Sequence, residues 1–172
     1  MEQSGVLQSL KVMRIGLLLS FITLLYGFGL GGVFGAFEDN LKDHLKEKAA
    51  SVVEEQYEGD IANAGKVLSK SWTYFKRSHL HANGLGTTSL AMIIFLALCS
   101  PAVGFMFLTA LFLGLGSLGY SLFWLFAGLL APSLGSTGAA KEALLFLALP
   151  SSGMCILGLV ATTYCCVKKL FS

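Results

Sequence analysis

Between Arg77 and Lys141 the sequence contains no Asp, Glu, Lys or Arg. An uncharged stretch of that length cannot stay exposed to water. The whole chain of 172 residues is 55% hydrophobic and 13% charged, with a mean hydropathy of +0.72, so the stretch is expected to cross a bilayer more than once. The missing charge also removes chemistry. Proton pumps, ion-coupled transporters and most intramembrane hydrolases hold ionisable groups at bilayer depth, and the apolar segments here hold none.

Other absences narrow the field further. There is no GxSxG elbow, no HExxH pair, no phosphate-binding glycine loop ending in Lys-Ser/Thr and no carboxylate pair in an apolar setting, so an independent enzyme is not expected. The four cysteines, Cys99, Cys155, Cys165 and Cys166, have neither disulfide-scaffold nor CxxC spacing and read as packing residues. The net charge is only +2, with basic residues interleaved among acids. That lacks the polybasic footprint nucleic acid demands, so no nucleic-acid partner is expected.

What is present reads as four apolar spans and one charged hairpin. Backbone groups in lipid must be satisfied internally, so the spans are helices. The expected fold is all-α: a polytopic integral membrane protein with four transmembrane helices and an extramembrane helical hairpin between the first and second. The segments are a short polar N-terminus (1–14), a first span (15–37), the hairpin (38–77), a second span (82–99), a third (103–130), a loop (131–141), a fourth span (142–167) and a basic C-terminus (168–172). The first span is too long for a signal-peptide core and reads as a retained anchor.

In the hairpin, Leu41, Leu45, Ala49, Val52, Val53 and Tyr57 recur at helical spacing, and Ile61, Ala64, Leu68, Trp72 and Phe75 form a second stripe. Glu58-Gly59-Asp60 separates them, with Asp60 placed to cap the second helix. Thr137 is a candidate cap in the later loop, and Pro150 predicts a kink in the fourth span. In GFGLGGVFG, Gly27, Gly31 and Gly35 repeat every fourth residue, the pattern of a close helix-packing face. Trp72 and Phe75 are expected to hold the hairpin over the bundle.

Orientation is contested by the charges. Lys11, Arg14, Lys168 and Lys169 flank the termini, whereas Lys42, Lys46, Lys48, Lys66, Lys70, Lys76, Arg77 and Lys141 lie on the other side. Counting places the hairpin in the cytoplasm. The residues directly at helix ends, Arg14 and Lys168-Lys169, favour the reverse.

The strongest chemical candidates are histidines. If the second hairpin helix runs on into the second span, the Trp72 and Phe75 stripe extends to His79, then Asn83 and Gly86, while His81 lies about 200° further round. A symmetric count from Gly59 sets His44 level with Tyr74. One imidazole at headgroup depth, hydrogen-bonded to Asn83 or a carbonyl, is the simplest use of His79, with a haem or metal ligand and a pH-sensing group as the sharper ones.

The run HLHANGLG, residues 79–86, resembles the H-x-H-x-N-x-x-G helix start of membrane proteins similar to haem-copper oxidase catalytic subunits, where histidines at the mouth of a helix ligate haem or metal. The resemblance covers that stretch alone. It implies a haem-proximal small subunit or a relic of that helix, with the carry-over reaching His79, His81, Asn83 and Gly86, of which His79, His81 and Asn83 are the cofactor-binding candidates; the inward phase of a continuous helix makes His79 the metal-ligand candidate in preference to His81. The isolated chain is expected to carry neither haem nor copper.

Three functional readings follow. The first is a non-catalytic small subunit of a larger membrane assembly, such as a bacterial redox or respiratory complex in the inner (cytoplasmic) membrane. Its partners would be the lipid bilayer and other membrane subunits or further copies of itself. The second is a small membrane redox protein binding haem or copper through His79 or His81. The third is a homo-oligomeric channel lined by Thr87, Thr88, Ser117 and Ser121.

Overall fold

The computed structural model describes residues 2–171, leaving Met1 and Ser172, the ends of the two terminal segments, outside the described residues. The described residues form seven helices. A short α1 (Glu2–Val12) is followed, across the buried Met13, by α2 (Arg14–Ala50). Phe37 leaves helical geometry (φ −134°, ψ 26°) where the apolar part of α2 gives way to Glu38 and Asp39. A turn leads to α3 (Val53–Tyr57), and left-handed Glu58 and Gly59 reverse the chain. Asp60 then accepts a hydrogen bond from the Asn63 N–H at 2.8 Å, capping α4 (Ile61–Cys99).

At 39 residues α4 is about 58 Å long, and it carries the hairpin's second limb and the second apolar span as one helix. Left-handed Ser100 ends it and Pro101 prevents its continuation. Then come α5 (Val103–Leu130), α6 (Thr137–Ala143) and α7 (Leu145–Phe171). Among these helices α2, α4, α5 and α7 are long and apolar enough to cross a membrane.

The centre of the bundle is the antiparallel pair α4 and α5, with α2 and α7 each packed against both. Small residues make this approach close. Ser71, Ser78 and Ser89 of α4 each donate a hydrogen bond across the seam to a carbonyl of α5: Gly128, Ser121 (2.7 Å) and Leu113 (3.1 Å). On α2 the buried stripe is Gly16, Ser20, Thr23 and Gly27; on α7 it is Ala148, Ser151, Gly158 and Thr162. Outward faces are apolar, with Leu25, Phe28 and Phe146 each at least 70% exposed. A water-soluble bundle turns such residues inward.

The hairpin limbs close over Leu45, Ala49, Tyr57, Ala64 and Val67. Its tip is tied to the bundle, because the Tyr57 hydroxyl donates to the Pro132 carbonyl at 2.7 Å and Gly135 packs against Gln56. Three local features differ from the sequence reading. Residues 131–141 are not all loop, since α6 starts within them, and its cap is Ser136, whose hydroxyl accepts from the N–H groups of Gly138 and Ala139, one residue before Thr137. The N-terminal segment is helical. The helix continues through Pro150, and the departure from helical geometry falls at Leu144 instead. Ser151 and Ser152 donate to the Leu147 and Ala148 carbonyls in the turn that Pro150 interrupts.

Candidate functional site

Because α4 does not break, His79 and His81 leave it in different directions. His79 turns toward α2, where its Nδ1 lies 2.8 Å from the Gly27 carbonyl oxygen. A carbonyl can only accept, so Nδ1 carries the proton and, in the neutral ring, Nε2 keeps the free lone pair. Gly31 forms the floor beneath the ring: a Cβ there would come within 2.7 Å of Cε1. The Phe34 ring closes the other side edge-on, with centroids 6.0 Å apart. Asn83, one turn along, donates its amide N–H to the His79 carbonyl at 3.1 Å.

A second polar group shares this level. The Tyr26 hydroxyl lies 2.5 Å from Ser78 Oγ, which donates to the Ser121 carbonyl at 2.7 Å. The result is a layer tying α2, α4 and α5 together through residues 26–27, 78–79 and 121. Each donor that would be costly to bury alone finds an acceptor on a neighbouring helix. The Oδ1 atom of Asn83 is buried and has no partner among the described residues.

His81 faces α5, 5.1 Å from the Tyr120 ring and 6.0 Å from that of Trp124. His44 is exposed on the hairpin. The residue after it, Leu45, lines a cavity with Leu68, Ser69 and Trp72, so His44 sits about ten residues, roughly 15 Å, from the level of His79. The symmetric count from Gly59 brought it nearer because it took both limbs as straight, whereas the tip folds back through α3. The structure therefore gathers no two of the three histidines, and no cluster of three or more His, Cys, Asp or Glu side chains suited to a metal occurs among the described residues. The chemistry His79 offers is one imidazole nitrogen.

The other expected packing residues divide. Gly27 meets Asn83 and Ala82, Gly31 meets His79, and Gly35 has nothing within 4 Å of where a Cβ would sit. Phe34 packs at a tilt against Trp72 (5.2 Å between centroids) and edge-on against Phe75 (6.2 Å), so these two do lie at the α2–α4 contact, and Phe75 also fills the space left by Gly128. Gly86 lies against Leu24. Of the hydroxyls assigned to a channel, Thr87 and Thr88 are exposed on α4 while Ser117 and Ser121 are buried and bonded to their own helix. Tyr26, Phe34, Ser78 and the stripe Gly16, Ser20, Thr23 were not singled out from sequence. Their alternating spacing of four and three residues is the signal that finds that stripe.

Comparison of the chain with known protein families, with characterised proteins and with solved structures finds no match in any of the three.

Proposed function

We propose that this chain is an integral membrane protein that serves as a non-catalytic subunit of a larger membrane assembly, docking through the outward face of α2. The observation that carries the reading is the seam Leu18, Ile22, Leu25, Gly29, Gly32, Ala36. Its members are all exposed, they follow the alternating spacing of four and three, and Gly29 and Gly32 have nothing within 4 Å. Such a seam presents large side chains on one half and bare backbone on the other, the relief that a second helix packs into. Of the four long helices α2 is also the least covered by the rest of the chain.

The buried polar groups support a scaffold role. They join helix to helix at Tyr26, Ser78 and His79, and each bond fixes the bundle's own register. The test is purification in mild detergent from the native membrane, with wild type compared to Gly32→Leu and Gly29→Leu. A partner retained by wild type and lost from both variants, at unchanged melting temperature, supports the seam. A wild-type protein that migrates as a bare monomer from native membranes overturns it.

A further inference from the structure

Where α4 ends and turns toward α5, the Sγ atoms of Cys99 and Cys166 lie 3.6 Å apart, although 67 residues separate them in the chain. Cys99 is the last residue of α4, directly before the left-handed Ser100, and Cys166 lies in the last turns of α7. Both are free thiols and both are half-buried, so the pair sits at the rim of the bundle rather than in its interior. Cys165 packs beside them on the cluster that contains Met13, Leu96 and Met106. Cys155 is placed differently, in the middle of α7 against Gly116. Beyond Thr162 no side chain of α7 is buried among the described residues, and the half-buried ones are Cys165 and Cys166. The last turns of α7 therefore rest on the bundle through two thiol-bearing residues.

We propose that Cys99 and Cys166 are a redox-active thiol pair, which closes into a disulfide on meeting a small anionic disulfide and so locks the end of α7 to the end of α4. The two sulfurs need to approach by about 1.5 Å to reach bonding distance, a movement within the range of side-chain rotation. A thiol is a weak donor and a weak acceptor, so the hydrogen bond between them adds little, whereas their proximity makes the second step of an exchange reaction intramolecular. In the first step a thiolate of the pair attacks one sulfur of the small disulfide and expels a thiolate. In the second the other cysteine, deprotonated in turn, attacks the protein sulfur of the mixed disulfide and expels the second thiolate. The two cysteines lose two electrons and two protons and gain one S–S bond; the small disulfide gains both electrons and both protons and leaves as two thiols. Lys168 and Lys169, two and three residues past Cys166, draw an anionic reactant to this end. With four spans, the lysine and arginine count that puts the hairpin in the cytoplasm puts this pair on the opposite face, where disulfides persist. The spacing of the cysteines in the sequence gives no sign of the pair, because α4 and α7 bring it together.

The experiment incubates the full chain in mild detergent with oxidised glutathione, quenches with acid, blocks free thiols by alkylation and cleaves after lysine. Cys99 then lies on the fragment 77–141, and Cys155, Cys165 and Cys166 lie on the fragment 142–168. Wild type should give these two fragments joined, from a chain that still runs as a monomer without reductant, and reduced glutathione should separate them again. Fragmentation of the joined peptide identifies Cys166 as the partner of Cys99 in wild type, without recourse to any variant. Cys99→Ser and Cys166→Ser should lose the joined species, whereas Cys155→Ser and Cys165→Ser should keep it. Four results overturn the proposal: both thiols remaining open to alkylation in excess oxidised glutathione, each carrying glutathione with no bond between them, a bond formed only between two chains, or a bond to Cys165 that persists undiminished in Cys166→Ser.

Discussion

Gly31 of α2 lies directly beneath the His79 imidazole of α4, so close that a Cβ there would approach Cε1 to 2.7 Å. The ring is held on its other sides by the Gly27 carbonyl and by Phe34, so it has little room to yield. Gly31→Leu should push α4 from α2 and lower stability by about 1 to 3 kcal/mol as an overpacking defect. Gly35→Leu, where nothing lies within 4 Å, should leave stability unchanged within about 0.5 kcal/mol. Thermal unfolding of both in the same detergent checks this; equal melting temperatures would mean the ring relocates freely.

The contrast between Gly31 and Gly35 also shows how far the sequence could be read. A four-residue step turns a helix by about 40° beyond a full circle, so Gly27, Gly31 and Gly35 drift progressively and the last has left the contact. Steps of four and three cancel, which keeps Gly16, Ser20, Thr23 and Gly27 on one line. The long apolar helices were legible because charge stops at Arg77 and resumes at Lys141. That His79 turns to the Trp72 and Phe75 side of the helix while His81 points away was legible from helical phase; that α2 is what it meets there was not. Nor was its acceptor, because the Gly27 carbonyl is backbone and every residue has one. The start of α6 was missed for a related reason: a seven-residue helix has no hydrophobic period to read, and Ser136 and Thr137 are equally good caps on paper.

The arrangement of the helices makes a topological prediction. If α2, α4, α5 and α7 all span the bilayer, the hairpin tip and α6 share one face, and the α4–α5 turn shares the other with both termini. In a background with the four native cysteines changed to serine, single cysteines at Glu58 and Ala139 should react with an impermeant maleimide from the same side. One at Ser100 should react only from the opposite side. Labelling of Glu58→Cys and Ser100→Cys from one side would remove the four-span arrangement.

The hairpin tip gives a pH-dependent prediction. Tyr57 is buried against Ala131 and Pro132, and burial raises its pKa above the ordinary 10.0. The folded tip therefore holds the phenolic proton more tightly than a detached tip does. The tip's docking is fully present below about pH 10 and weakens as pH rises past it, since the detached phenol ionises first. Tyr57→Phe should cost about 0.5 to 1.5 kcal/mol by leaving the Pro132 carbonyl unpaired. Limited proteolysis between α2 and α4 reads both effects. Faster cleavage in the variant at pH 7, and in wild type only on the alkaline side, is the expected pattern; pH-independent cleavage of wild type would mean Tyr57 does not hold the tip.

The resemblance of residues 79–86 to a haem-ligating helix start meets its test in the fate of the two imidazoles. His79 spends its Nδ1 proton on Gly27 and stands between Gly31 and Phe34, whereas His81 packs on Tyr120 and Trp124, on a different face of α4. A tetrahedral metal needs four donors, and His79 offers one with no second histidine beside it. The purified chain without partners is therefore expected to show no Soret band and no stoichiometric copper, iron or zinc. If a partner brings haem to this layer, the nitrogen that can ligate it is His79 Nε2. His79→Ala would then abolish the band while His81→Ala leaves it, although His79→Ala also frees the Gly27 carbonyl and should destabilise the bundle by about 1 to 3 kcal/mol. His79→Gln, with its side-chain N–H able to reach toward the Gly27 carbonyl, separates the two effects: stability should recover and haem should not. A cofactor lost equally from His79 and His81 variants would require residues 78–81 to leave the helix, and α4 to be two helices where one is described here.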